Sequence, residues 1–541
     1  MVREIHANTS YRQAPESAPG PASRRPNENS PPLHQQPDAV FSLNLDASRR
    51  TSADTILEWP VFASFLSPLH RFTFKDSSGN DRHTYLGHPI SRSHAATPSV
   101  PSGLRLPLSI STERADIDAL VDLYFTRVNI KNPILSRHVV ASYCHTYCEN
   151  GPQFNLQTCL VLLTCALGAI STEYDPLGAE VREYHDSDSA RRASLSLGRC
   201  YYSAAEKRLG AAMTAGDNLA IQCLCLAGIY HMCSLDPVAA LRMFHAAGSS
   251  LQILLSSGPV VPGEGPSQIN SSLFWTCYKS EREILAEMPI AVPALREPPS
   301  SDSYPPPPQE ASTPSDSWTA AEEDSWYFLL SEIALRNLTD QVAEVVARHI
   351  DSHIRSPSAS ASVQDVIPVI AEFERQAEAF RSLLPPSINF PDVPTAAATE
   401  WKQYSRGRYY RLLELMHRPF LFDVVHKPPG TCDPAVRALA EKALFNALRY
   451  LQHSHVAHRH HGTWLQLRNE LKEASLLLVA ARSPAGLVLP DGWRDGVSKA
   501  LITLDYWSSE FPQCKTYAEV LLALSEEQAI SPDGDASICY D

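Results

Sequence analysis

The sequence predicts an all-α protein built from paired, antiparallel helices. Three observations carry this reading. Apolar residues recur every three or four positions in segment after segment, and period-two β-branched runs are nearly absent. The prolines, 43 against 22 glycines, gather in a few stretches between the helical ones. Without alternating strand and helix units, a parallel sheet is set aside. No fixed-period repeat marks a solenoid, although paired helices of these lengths would suit one.

Residues 1–50 hold seven prolines by position 37, among Asn, Ser and Gln. Such a stretch buries too little apolar surface to offset its ordering entropy and is expected to be disordered. Residues 74–113 form a second weak segment, rich in Ser, Pro and His. Ile117, Leu120, Val121, Tyr124, Phe125 and Val128 then define one face of a helix, with Asp118, Asp122 and Arg127 opposite. Further helices are expected over 155–172, 191–213, 218–233, from Asp236-Pro237 through Leu251, and over 268–288. Pro293 to Pro314 contains eight prolines, including Pro305 to Pro308, and reads as an exposed loop or linker. Beyond it, helices are expected over 320–350, 363–384, 398–417, 436–451, 463–482 and 512–528. Asp433 and Pro434 supply an N-cap and a first helical residue. Arg418-Pro419 is expected to stop the helix that carries Tyr409, Leu412 and Leu413. The chain thus divides into a disordered segment 1–50, the first part of a helical domain over 51–292, a Pro-rich linker 293–319, a second helical part 320–530 and an acidic tail 531–541.

The net charge is −14 and there is no basic arm, so the chain is not expected to hold DNA by itself, because phosphate contacts supply most of that affinity. Arg24-Arg25 and Arg49-Arg50 are isolated pairs and read as solvated linker charge rather than an import signal. Of the 12 cysteines, Cys159, Cys165, Cys223, Cys225 and Cys233 lie in apolar runs, where reduced core thiols sit. With no apolar segment in the N-terminal MVREIHANTS, a reducing compartment is expected. The apolar stretches Cys159–Ile170 and Leu219–Met232 fall short of the roughly 20 residues that span a bilayer, so no membrane is expected as a partner.

A search for catalytic chemistry finds none. Gly248-Ser249-Ser250 lacks the second glycine of a nucleophile elbow, and Gly263-Glu264-Gly265 runs into proline rather than a helix. Asp116, Asp118 and Asp122 spread around their helix instead of converging on a Mg²⁺. Lys279-Ser280-Glu281-Arg282-Glu283 alternates in sign, with Lys279 and Glu283 four apart, and reads as a salt-bridged solvent side. The best metal candidates are His453, His455, His458, His460 and His461. A closed zinc site needs four convergent ligands, and no cysteine or carboxylate lies close by in sequence. These histidines therefore read as a polar turn between two helices, with Gly462 as breaker and Thr463 as the next N-cap. No catalytic, cofactor-binding, DNA-binding or metal residue is assigned, no cofactor is expected, and the chain does not read as an enzyme.

Five blocks in order carry a resemblance. They are Thr55–Phe62; Leu123-Tyr124-Phe125 with Asn129 and Asn132–Leu135; Ser272–Arg282; Met416–Leu421; and His458–Trp464. Together they resemble the fungal-specific regulatory (middle homology) domain of Zn₂Cys₆ binuclear-cluster transcription factors, over roughly 55–525. The resemblance implies a nuclear transcription regulator, controlling a metabolic or secondary-metabolite gene cluster. It would act through a small-molecule effector and through other transcription factors or coactivators, as a homo- or heterodimer. The departure is in the DNA-binding module, which needs six cysteines and two CxxC pairs. This chain has no CxxC and no cysteine before Cys144, so DNA is expected to be reached only indirectly. Two alternatives stay open: a cytosolic helical scaffold or inhibitor of a related factor, and a fragment whose upstream exon encodes the cluster. The acidic residues Glu526, Glu527, Asp533, Asp535 and Asp541 read as a solvated terminus.

Overall fold

The structure is a computed structural model that describes residues 51–69, 71–75, 81–84, 86, 110–176, 188–257, 268–288, 290–295, 304–307, 320–355, 363–393, 396–454 and 456–525. The expected disordered segment 1–50 with its arginine pairs, His455, and the acidic residues from Glu526 onward lie outside the described residues.

Sixteen α-helices form among the described residues, as the all-α reading requires. Two short ones come first, α1 (Ala53–Leu57) and α2 (Ala63–Leu66), joined by a 3₁₀ turn over Pro60–Phe62. Ser52 starts α1 by accepting from the Thr55 amide. A two-stranded antiparallel hairpin follows, β1 (Phe72–Lys75) and β2 (Asp81–Thr84), which the sequence reading did not anticipate because four residues of alternation are too few to signal a strand. Next come α3 (Arg114–Tyr124), extended by a π turn over Phe125–Asn129, then α4 (Arg137–Asn150), α5 (Leu156–Ile170), α6 (Asp188–Ala212), α7 (Asn218–Cys233), α8 (Pro237–Ser257) and α9 (Gln268–Glu287). The remainder is α10 (Ala320–Arg355), α11 (Ile367–Ser382), α12 (Glu400–Val425), α13 (Pro434–His453), α14 (Thr463–Arg482), α15 (Trp493–Trp507) and α16 (Gln513–Ser525).

The helical periodicity lands where expected. On α3 the residues Ile117, Val121 and Tyr124 are buried, while Asp116, Asp118 and Asp122 face solvent and pair with Ser111, Arg114 and Arg137. Besides the short α1 and α2, two helices fall outside the ranges expected from sequence. The buried line of α4 is only Val140, Cys144 and Tyr147, diluted by His138, His145 and other polar residues. In α15, Asp491-Gly492 and Gly496 resemble a turn, yet Val497, Ala500, Leu504 and Trp507 form a buried stripe.

Helix α12 corrects the expected stop at Arg418-Pro419. It runs through Pro419 to Val425. A proline inside a helix costs about 3 kcal/mol, but every residue from Glu414 to Val425 is buried, and that packing outweighs it. The Pro-rich stretch is a second correction. Its described parts are not free of the core: Leu295 is buried, Tyr304 stacks on Trp275 at 5.3 Å, and the Pro305 carbonyl accepts from Trp326 Nε1 at 3.0 Å.

Nor does that stretch separate two cores. One hydrophobic cluster extends from Ala53 to Leu524. At its centre lie α5, buried at twelve of fifteen positions, and α7, buried at twelve of sixteen, as helices that are apolar all round must be. By length and composition, α8 is the one helix among the described residues apolar enough to cross a membrane. Here it packs along α7 and α9 through Leu241, Phe244, Ala247 and Leu251.

Helices α3 and α5 touch backbone to backbone, since a Cβ on Gly168 would stand 2.0 Å from the Leu120 carbonyl oxygen. Gly168→Ala is therefore expected to destabilise the protein by about 1–3 kcal/mol. A Cβ on Gly210, on α6, would meet nothing within 4 Å among the described residues, so Gly210→Ala is expected to be neutral or to stabilise by up to ~1 kcal/mol. Urea unfolding followed by circular dichroism distinguishes the two; equal effects would contradict the close crossing.

Candidate functional site

Helix α9 organises the centre of the molecule. Its aromatic flank, Phe274, Trp275 and Tyr278, is core, with Trp275 edge-on to Tyr278 at 5.4 Å. Its charged residues contradict the solvent-side reading: Lys279, Glu281, Glu283 and Glu287 are all buried. The sign alternation of that stretch reflects partners on other helices rather than water. Glu281 accepts from the Ala294 amide at 3.0 Å and contacts His245 at 2.8 Å, which ties the start of the Pro-rich stretch to α8 and α9. Arg408 of α12 bridges Glu283 of α9 and, at 2.8 Å, Glu332 of α10.

Glu287 closes α9 and is the most heavily engaged group. Its carboxylate accepts from Lys472 Nζ, from Arg468 Nε at 3.1 Å and from the Ala53 amide at 3.2 Å. Arg468 also reaches Asp54 at 2.5 Å, and Arg418 and Lys472 donate to the Thr51 carbonyl at 3.4 and 3.5 Å. Burial alone would raise the Glu287 carboxyl, but Lys472, Arg468 and Arg411 hold it down to about 2. On the same stretch of α14, Glu473 goes the other way: burial, then Glu414, raises it, so it favours the neutral acid.

Beside this network lies a cavity of about 90 Å³, between α12, α13, the turn over 454–462 and α14. Helix α12 contributes Glu400, Tyr404, Arg408 and Arg411 to its walls, α13 contributes Tyr450 and His453, and α14 contributes Gln466 and Asn469. The histidine cluster does form the turn between α13 and α14, with Gly462 as N-cap one residue earlier than expected. Far from facing water, His453, His458, His460 and His461 are buried, and they meet side chains of α12. His458 Nε2 pairs with Glu400 at 2.7 Å, and Glu400 pairs with Lys131 at 2.6 Å. His460 Nδ1 meets the Tyr404 hydroxyl and the Gly462 amide. His453 stacks on Tyr410 at 5.5 Å, and neither of its ring nitrogens has a hydrogen-bond partner among the described residues. Among the described residues no three His, Cys, Asp or Glu side chains are grouped to hold a metal ion.

Burial keeps His453 and His460 neutral, each lowered from 6.5 to about 3. His461 is lowered further in the same direction. The described cysteines are free thiols; burial pushes Cys144 and Cys233 up to about 12, which leaves them poor nucleophiles. None of the cavity residues was singled out in sequence apart from the histidines and Gly462. The available signal was α14 itself, whose Arg468, Glu470, Lys472 and Glu473 lie among Leu467, Leu471, Leu476 and Leu477 with no polar face left for solvent.

No protein-family model, no curated protein and no solved structure matches this chain.

The neutral histidines set a pH dependence. Their folded pKa values are depressed, so their contribution to stability is full above about pH 6.5 and is lost as pH falls toward 3. Glu470 acts oppositely: burial, partly offset by Ser454 and Lys499, raises it from 4.5 to about 7, so its contribution is full below 4.5 and is lost as pH rises through 7. A variant isolates one group. Between about pH 6 and pH 4, His460→Gln is expected to lose stability less steeply than the parent, by about 1.4 kcal/mol per pH unit, in urea unfolding. Parallel curves would show that His460 is not held neutral.

Proposed function

We propose that this chain is a nuclear transcription regulator, working through its helical domain by effector binding and protein contacts, and not an enzyme. The observation that carries this reading is convergence in space. The blocks that resemble the fungal regulatory domain are far apart in sequence, yet they meet around one buried network and one cavity. Trp59 of the first block packs edge-on against Phe422 at 5.0 Å, just past the Met416–Leu421 block. The helix carrying Ser272–Arg282 ends on Glu287, which is held by α14, and α14 is opened by the His458–Trp464 block. Arg418, within the Met416–Leu421 block, binds the Thr51 carbonyl just ahead of the first block.

The cavity supports effector binding over catalysis. Glu400, the acid among its described lining residues, is committed to Lys131 and His458. Its histidines His453 and His460 are neutral, with pKa values too low for acid–base exchange near pH 7. No nucleophile with a lowered pKa lines it. These 541 residues contain no CxxC pair, so contact with DNA runs through a partner factor or coactivator, as a homo- or heterodimer.

Chromatin immunoprecipitation of the tagged chain, paired with transcript profiling after gene deletion, tests the reading. Enrichment at the promoters of a gene cluster whose transcripts change on deletion is expected. A cytosolic tag signal, with no promoter enriched and no transcript changed, would instead favour a scaffold that sequesters a related factor.

A further inference from the structure

We infer that the cavity between α12, α13 and α14 binds a short hydroxycarboxylate, with Arg411 holding the carboxylate and His453 and Asn469 holding the hydroxyl. The inference deepens the effector-binding part of the proposed function and rests on it for its biological consequence.

The charge pattern singles out Arg411. The basic groups around it each have a close acidic partner: Arg408 has Glu283 and Glu332, Arg418 has Glu414, Arg468 has Asp54 and Glu287, and Lys472 has Glu287. Among the described residues Arg411 approaches only Glu287, at 3.8 Å, beyond hydrogen-bonding distance and onto a carboxylate already saturated by three donors. Glu473, the next carboxyl, is raised toward its neutral form by burial and by Glu414. Arg411 therefore presents to the cavity a guanidinium whose charge is not matched at contact. Its planar fork fits a carboxylate through two parallel hydrogen bonds.

The second half of the site is neutral. His453 is 3% exposed and lines the cavity, and its two ring nitrogens, one a donor and one an acceptor in the neutral ring, are buried with no hydrogen-bond partner among the described residues. Asn469 lines the same wall, and its Oδ1 is likewise buried with no hydrogen-bond partner among the described residues. A hydroxyl both donates and accepts, and so answers these atoms where a second charge would not. The 90 Å³ volume equals about three waters at ~30 Å³ each, room for a carboxylate, a hydroxyl and a short carbon chain.

Isothermal titration of the full chain with glycolate and lactate, at millimolar concentration and against glycolamide and sulfate, tests the assignment. One equivalent of glycolate or lactate is expected to bind. Binding should weaken at least about tenfold in Arg411→Gln and in Asn469→Leu, a variant that leaves the ion pairs intact should the first fail to fold. Glycolamide should not bind. The inference is overturned if neither acid binds, if glycolamide or sulfate binds as well as the acids do, or if the folded variants bind as the parent does. Promoter occupancy without acid binding would sink this site and leave the regulator reading standing. Acid binding without any change in transcripts would do the reverse.

Discussion

The structure depends on the carboxylate of Glu287. It sits at the end of α9, 1% exposed, and is shared by the α1 amide of Ala53 and by Arg468 and Lys472 of α14, with Arg411 of α12 nearby. Four elements from positions 53 to 472 are thereby fixed at one point. A buried carboxylate is tolerated only when its lost hydration is replaced, and three donors with two formal positive charges do that here. Removing any one member leaves an uncompensated charge, whereas an apolar replacement of the whole group need not cost stability. The network therefore specifies which helices meet more than it adds to their adhesion. The adhesion comes from the single hydrophobic cluster that surrounds it.

That arrangement also shapes the cavity. Because Glu287 is saturated by Lys472 and Arg468, Arg411 is left facing inward without a hydrogen-bonded acid. Because the turn that follows α13 is folded under α12, His453, His460 and His461 are desolvated and neutral and serve as hydrogen-bonding groups, not charges. A cleft with one unmatched cation and several neutral donors and acceptors is suited to recognising a small anion. It is poorly suited to moving protons. Ligand binding there would bear directly on α12, α13 and α14, and through Arg411 on the Glu287 junction that holds α1.

The fold was largely legible and the site was not, and the same physics explains both. Apolar periodicity marks helices such as α3 and α13 because one face is buried and one wet. It fails for α4, whose buried line is only Val140, Cys144 and Tyr147, and for α15, which opens with turn-like glycines. It fails more seriously for the charges of α9 and α14. Lys279 and Glu283 sit four apart, as a solvent-side pair would, and nothing local reveals that their partners are Glu332 and Arg408, more than fifty residues away. The proline at 419 misleads for a related reason: its local cost is fixed, but the burial that overrides it belongs to the whole molecule. The histidine cluster was visible as a turn between helices, and the neutral state of His453 and His460 was not, since burial against Tyr404 and Tyr410 is a tertiary fact.

The most direct test of the account is hydrogen exchange by mass spectrometry on Glu287→Gln. Breaking a buried ion-pair junction costs on the order of 3–5 kcal/mol, and here the loss should propagate along the elements that share the carboxylate. The account predicts faster exchange in residues 51–66 and in the Arg468–Lys472 turn of α14, together with the end of α9. Faster exchange confined to the end of α9, with 51–66 protected as in the parent, would contradict it.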